Sequence, residues 1–130
     1  MAEPLQVEMV AADRVVWSGQ ATSIFARTAE GEIGILSNHA PILSLLVEGV
    51  VEVRDESGER VVAAVDAGFL SVANNRVSIL AESAELSSEI DVEHARAELD
   101  RAKSAAADDD EAAAAVRRAE ARLRAVDRAS

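Results

Sequence analysis

"RVSILAESAELSSEIDVEHARAEL", residues 76–99, decides the fold, because the period of its apolar positions changes midway. Arg76-Val77-Ser78-Ile79-Leu80 alternates polar and apolar side chains, the pattern of a strand with one buried face. From Ile90 onward the spacing opens to three and four. Val92, Ala95, Leu99, Ala102 and Ala106 then fall on one stripe of a helix. Asp91 stands where an N-cap belongs, and Glu93 suits the first turn. The chain is therefore expected to divide into a β part, residues 1–88, and an α part, residues 89–130.

Toward the N-terminus the period of two continues. Leu5-Gln6-Val7-Glu8-Met9 alternates cleanly and Val61–Val65 more loosely. Turn signals separate the runs: Ser18-Gly19, Glu30-Gly31, Gly49, Asp55-Glu56-Ser57-Gly58-Glu59, Gly68, and Asn74-Asn75, whose residues tolerate the positive φ of a tight hairpin. Many short strands with no helix between them predict an antiparallel sandwich or barrel. Toward the C-terminus, Ala112, Val116, Ala119, Leu123 and Val126 make a second stripe. Asp108-Asp109-Asp110 caps that helix and leaves a link that fits an antiparallel hairpin. The expectation is two helices of about four turns, about 24 Å each.

Alanine makes up half of the two stripes, five of ten positions. It favours helix but buries little area at about 25 cal/mol per Å². The pair should therefore be weakly fastened, to itself and to the strands. That leaves two readings: an element with two arrangements, or a stabilising appendage with one resting position.

Hydrophobic residues make up 49% of the 130, but only Trp17, Phe25 and Phe69 are aromatic, so the core must be Val, Ile, Leu and Ala. The lack of Cys and of a leading basic-apolar segment fits a reducing, cytoplasmic setting. No apolar run approaches the roughly 18 residues that span a bilayer. The net charge of −11 disfavours nucleic acid and anionic lipid. Residues 1–90 hold five arginines against fourteen acids, whereas the last fourteen residues carry Arg117, Arg118, Arg122, Arg124 and Arg128 against Glu120 and Asp127. That basic end either meets an acidic partner or is a solvated face with internal ion pairs.

Chemical candidates are few. His39 has Ser37 nearby, but no nucleophile elbow precedes it and no third group is in view. Ser37-Asn38-His39-Ala40-Pro41 reads instead as a turn whose tip meets a partner, with Pro41 fixing the exit. His94 has no second His or Cys at metal-ligand spacing, so no metal site is expected. Phosphate-cradling glycine motifs are absent. These residues describe a binding module and not an enzyme.

"GEIGILSNHAPILSLLVEG" (31–49), "DAGFLSVANNRVSILAESAE" (66–85) and "EIDVEHARAELDR" (89–101) together resemble the epsilon subunit of F-type ATP synthases. The likeness runs from about Leu5 to the C-terminus. The family's Pro-Gly before the histidine is Ser37-Asn38 here, and Asn can take the positive φ. The resemblance implies a sandwich of about ten strands followed by a helical hairpin, with no catalytic residues and no required cofactor. It implies a place on the central stalk, bound to the gamma subunit and the ring of c subunits, at the cytoplasmic face of the membrane without lipid insertion. The implied docking residues are Glu32, Ser37, Asn38, His39 and Pro41, placed together at one end of the sandwich.

The resemblance further implies that the hairpin extends into the alpha/beta catalytic head and blocks ATP hydrolysis, with Arg117, Arg118, Arg122 and Arg124 as the contacts. Some members hold the folded hairpin with a regulatory ATP. Ile90, Asp91, Ala95, Arg101, Arg118, Arg122 and Glu85 match that pattern, while His94 replaces its first arginine, so weak binding or none is expected. The alternative is a free-standing nucleotide-sensing or adaptor β-domain, which would not co-purify with such a complex.

Overall fold

The computed structural model describes residues 3–105 and 109–130. Ala106 and Asp108, assigned above to the first stripe and the link, lie outside them. Nine strands are present among the described residues: β1 Leu5–Ala11, β2 Arg14–Thr28, β3 Gly31–Leu36, β4 Ile42–Leu46, β5 Gly49–Asp55, β6 Arg60–Val65, β7 Gly68–Ala73, β8 Arg76–Ala81 and β9 Ala84–Leu86. A single 3₁₀ turn, Ser87–Glu89, leads to α1 Val92–Ala105 and α2 Asp110–Ala129.

The strands pair in the order β1-β8-β7-β4-β2-β5-β6-β9, with β3 on β2 and β1 also on β2. The 15-residue β2 is the corner. Its first half pairs with β1 and its second half with β3 and β5, with a register shift between Ala21 and Ser23. This folds one ladder into two facing layers, whose inward side chains share one core of Val, Ile, Leu and Ala, including Leu5, Met9, Ile24, Ile35, Val51, Leu70 and Ile79. One ladder departs from the antiparallel expectation. β1 and β8 run parallel, Gln6↔Arg76 to Val10↔Leu80. No turn joins them, so nothing in a period-two pattern sets their relative direction.

Turn chemistry matches the sequence. Asn38, Asn74 and Asn75 have φ of 65°, 52° and 60°. Asp55 Oδ1 accepts from the backbone N–H groups of Ser57 and Glu59 and from the Ser57 hydroxyl, which closes the β5–β6 hairpin. The Ser57 hydroxyl is the main reason that the Asp55 carboxyl sits below its ordinary range.

Gly68 opens β7 where the two layers turn back. A Cβ there would stand 1.9 Å from the Leu80 carbonyl oxygen and 2.7 Å from Ala81 Cα, both backbone atoms that no rotamer change can move. Gly68→Ala should therefore destabilise the chain by about 3 kcal/mol. By thermal melting followed by circular dichroism, the midpoint should fall by about 10 °C, and a shift within about 2 °C would contradict the packing.

The helices differ from the expectation in length and in attachment. α1 has 14 residues and α2 has 20, so they span about 21 and 30 Å. Asp91 caps α1 by accepting from the His94 N–H at 3.0 Å. Asp109 caps α2 through the N–H groups of Glu111 and Ala112. Of the second stripe only Ala119 is fully buried, together with Ala121 and Ala125 from another face. Those two alanines pack on Val62 and Ala64 of β6, beside Val50 and Ile90. α2 is thus sandwiched between α1 and the outer face of β5 and β6. This explains why β6 does not alternate: Ala63 and Val65 face the main core, while Val62 and Ala64 face the helix.

Attachment is also more polar than alanine stripes suggest. Arg122 bonds Glu85 and Asp66, Arg117 lies 3.5 Å from Glu48, and Arg128 lies 3.5 Å from Glu52. The apolar seam is built from small side chains, and ion pairs supplement it from Arg117 to Arg128.

Candidate functional site

The residues singled out for docking do not gather at one end. Glu32 lies at the start of β3, next to the β2–β3 turn, and the Ser37–Pro41 turn follows its far end. Five residues of extended chain separate them by about 17 Å. The expectation of a shared tip is therefore corrected: it overlooked that Gly31–Leu36 is itself a strand.

The Ser37–Pro41 turn is built on the neighbouring β7–β8 hairpin. The Asn38 N–H donates to Asn75 Oδ1 at 2.6 Å, and the Ser37 hydroxyl donates to the Glu3 carbonyl. His39 Nδ1 donates to the Ala40 carbonyl at 2.7 Å. Ser37 and His39 therefore point their polar atoms at different backbone groups, and no nucleophile–base pair forms. The turn presents amide and imidazole groups at one end of the sandwich.

A larger surface feature was not anticipated. Leu45 of β4 stands opposite Phe69 of β7, Phe69 opposite Leu80 of β8, Leu80 beside Val10 of β1, and Val10 opposite Val15 of β2. These five form one row across the outer face, about 19 Å long at the usual strand spacing. Leu45, Phe69, Leu80 and Val15 are each about half exposed, and Leu43, two residues from Leu45, is 74% exposed. Isolated exposed apolar residues are ordinary; a continuous row is the mark of a covered surface. The signal lay in the sequence as doubled apolar residues, Ile42-Leu43, Leu45-Leu46, Phe69-Leu70 and Ile79-Leu80, where a half-buried strand should alternate.

Between the sandwich and the hairpin lies a cleft of about 340 Å³. It gathers Glu85, Ile90, Asp91, His94, Ala95, Arg118 and Arg122 from β9, the linker and both helices. Arg101 does not line it; its guanidinium is 2.9 Å from Glu98 on the next turn. Asp66, Glu89 and Glu98, which were not anticipated, join the wall. The charges are already matched. Arg122 Nε donates to Glu85 at 2.5 Å, and its NH groups reach Asp66 at 3.3 Å, Ser83 Oγ at 3.2 Å and the Arg118 carbonyl at 3.1 Å. Burial opposes the Arg122 charge, but the Glu85 hydrogen bond and the Asp66 carboxylate outweigh it, so its pKa is raised. Arg118 pairs with Glu111 at 3.1 Å. An entering phosphate would meet five carboxylates and two arginines already engaged.

Glu89 belongs to a separate clamp. Arg14, at the β1–β2 turn, donates to both Glu89 oxygens at 2.9 and 2.7 Å and to the Ala84 carbonyl. The Arg14 hydrogen bond holds the Glu89 carboxyl below its ordinary range. The 3₁₀ turn is thereby pinned to the sandwich just before Ile90. Of the four arginines singled out for a catalytic-head contact, Arg117, Arg118 and Arg122 are engaged by this chain's own carboxylates, whereas Arg124 has none within 4 Å among the described residues.

Residues 4–87 match the family "ATP synthase, Delta/Epsilon chain, beta-sandwich domain". The chain is 55% identical over 126 residues to the ATP synthase epsilon chain of Streptomyces avermitilis, covering 97% of this chain and 98% of that one. It is 53% identical over 130 residues to the ATP synthase epsilon chain of Rhodococcus jostii, covering 99% and 100%. Among solved structures it resembles a chain of the Euglena gracilis mitochondrial ATP synthase, in an assembly of OSCP, F1 and c-ring. The TM-score is 0.74 at 26% identity, over 95% of this chain and 78% of that one. A chain of the Tetrahymena thermophila mitochondrial ATP synthase central stalk and c-ring shares the fold, with a TM-score of 0.56 at 18% identity over 74% of this chain.

Proposed function

We propose that this chain, which belongs to the ATP synthase epsilon family, couples rotation of the c ring to ATP synthesis as a non-catalytic part of the central stalk. The observation that carries the reading is the apolar row Leu45–Phe69–Leu80–Val10–Val15. A subunit that transmits torque needs a rigid platform and a partner fixed to it. The two-layer sandwich is the platform, and the row offers an area the gamma subunit can desolvate. The amide-rich turn at Asn38, His39 and Asn75 suits the polar loops of the c ring. No described helix is long and apolar enough to cross a membrane, so attachment to the cytoplasmic face of the membrane runs through these partners. Isolation of the complex through a tag on this chain tests the reading. Gamma and c subunits should be retained, and recovery of the chain alone would refute it.

The hairpin adds a brake on hydrolysis. Two of its arginines, Arg117 and Arg122, exchange the sandwich's carboxylates for those of the catalytic head when it extends, so the docked and extended positions compete for the same side chains. The pinned 3₁₀ turn makes Ile90–Asp91 the pivot.

A regulatory ATP is a second reading, favoured by the convergence of six of the seven matching residues on one cleft, with His94 beside them. The charge census sets its strength. His94 replaces the arginine that would engage phosphate, and five carboxylates surround the two arginines present. Calorimetric titration of the chain with ATP at pH 7 should give little or no heat, and His94→Arg should tighten binding by about tenfold or more. Micromolar affinity of the unaltered chain, or no gain in the variant, would contradict this.

A further inference from the structure

A second cleft of about 340 Å³ lies at the other end of α2, between its last two turns and the outer face of β2, β3 and β5. It shares no residue with the cleft at Asp91. Two outward side chains of β2 form its floor, and each is laid down by a glycine on a neighbouring strand. The Phe25 ring lies over Gly34 of β3, where a Cβ would come 3.0 Å from the ring. The stem of Arg27 lies across Gly49 of β5, where a Cβ would come 3.1 Å from Arg27 Cβ. Phe25 is still 47% exposed and lines the cleft.

The charges here are arranged differently from those at Asp91. Glu52 is nearly buried and is held by two arginines, Arg60 at 3.1 Å and Arg128 at 3.5 Å, so it repels little. Arg27 and Arg124 face the same space from strand and helix, and neither has a carboxylate within 4 Å among the described residues. Glu32, the cross-strand neighbour of Arg27, and Asp127 line the same cleft and balance the two guanidiniums without an ion pair within 4 Å. In a chain of net charge −11, two unpaired guanidiniums over a half-exposed aromatic ring are the exception, and planar guanidiniums take phosphate or carboxylate oxygens in pairs.

The geometry points to a binding site for a small aromatic anion, its ring stacked on Phe25 and its phosphate or carboxylate between Arg27 and Arg124. Because Phe25 and Arg27 belong to the sandwich and Arg124 to α2, such a ligand binds the docked hairpin alone and favours it. That consequence rests on the hairpin reading above; the binding itself does not.

The test is a titration of the isolated full-length chain with phenyl phosphate, benzoate and inorganic phosphate, followed by amide chemical shifts. Phenyl phosphate or benzoate should perturb residues 25–27, 49–52 and 124–128 with a dissociation constant of order 0.1–1 mM. Inorganic phosphate, lacking the ring, should bind at least about fivefold more weakly. Arg27→Gln and Arg124→Gln, both exposed positions, should each weaken phenyl phosphate by about fivefold or more, while Asp91→Asn leaves it unchanged. No perturbation up to about 10 mM would overturn the proposal, as would shifts confined to the Asp91 cleft or insensitivity to both arginine variants. None of these outcomes depends on whether the hairpin acts in the complex.

Discussion

Replacing Leu45 and Phe69 together with aspartate should leave the chain folded and strip it from gamma. Both side chains sit on the outer face, 55% and 49% exposed, so the sandwich core is untouched. Exposed substitutions of this kind usually change stability by less than about 0.5 kcal/mol. Binding is another matter. The pair lies directly cross-strand at the β4 end of the apolar row, beside the exposed Leu43, and apolar anchors of an interface carry about 2 kcal/mol or more each. Aspartate removes the apolar contact and adds a charge that the interface must desolvate. Affinity should fall by about a thousandfold at 1.4 kcal/mol per decade, against a thermal midpoint within a few degrees of the original. Isolation through a tagged chain measures the first and circular dichroism the second. Leu70, the inward neighbour of Phe69 and fully buried, supplies the contrast: its replacement by aspartate should unfold the sandwich. Normal recovery of gamma with the double variant would remove the row from the interface and with it the main support for the stalk reading.

How much of this was legible depends on what each residue had to satisfy. β1 and β8 bury alternate residues, and their outward Gln6, Glu8, Arg76 and Ser78 made the period legible, although Val10 and Leu80 break it where the apolar row crosses them. β6, read from sequence as a loose alternation at Val61–Val65, does not alternate, because α2 covers its second face. The helix face that covers it was harder to see. Ala121 and Ala125 stand four apart, but in a helix where eight of twenty positions are alanine several stripes look alike, and only the sheet selects one. Strand direction was hidden, since alternation is the same for parallel and antiparallel ladders. The cleft at Asp91 was reached only through the family resemblance, which picked out Ile90, Asp91, His94 and Ala95. Its electrostatics were not, because Asp66 arrives from the end of β6 and Arg122 from the far helix. The misplaced tip was a matter of length: Glu32 and Ser37 are close in sequence, yet a strand keeps them apart.

Asp66→Asn with Glu85→Gln and deletion of residues 91–130 should move ATP hydrolysis by the complex in opposite directions. Both act on one equilibrium, hairpin docked against hairpin extended. The double substitution removes the carboxylates that hold Arg122 but leaves every arginine of α2 in place, so the docked state alone loses. Arg122 is 17% exposed and its partners 11% and 37%, so the loss lies between that of a surface pair and a buried one. Discounting for the solvent reaching Glu85, it is about 2 kcal/mol, or a shift of about thirtyfold toward the extended position. The isosteric amides keep the space filled, and the Asp66 backbone bond to Ser83 remains, so the sandwich should melt as before. Hydrolysis should drop severalfold, because more hairpins reach the head with Arg117, Arg118, Arg122 and Arg124 free to meet its carboxylates. Deleting residues 91–130 removes the brake itself, and hydrolysis should rise. Opposite signs are what distinguish a switch from an appendage: a hairpin that only stabilises the sandwich would lower activity in both variants or change neither. If the double substitution raises hydrolysis, the carboxylates of Asp66 and Glu85 do not hold the hairpin off the head, and the competition for Arg122 is not the mechanism.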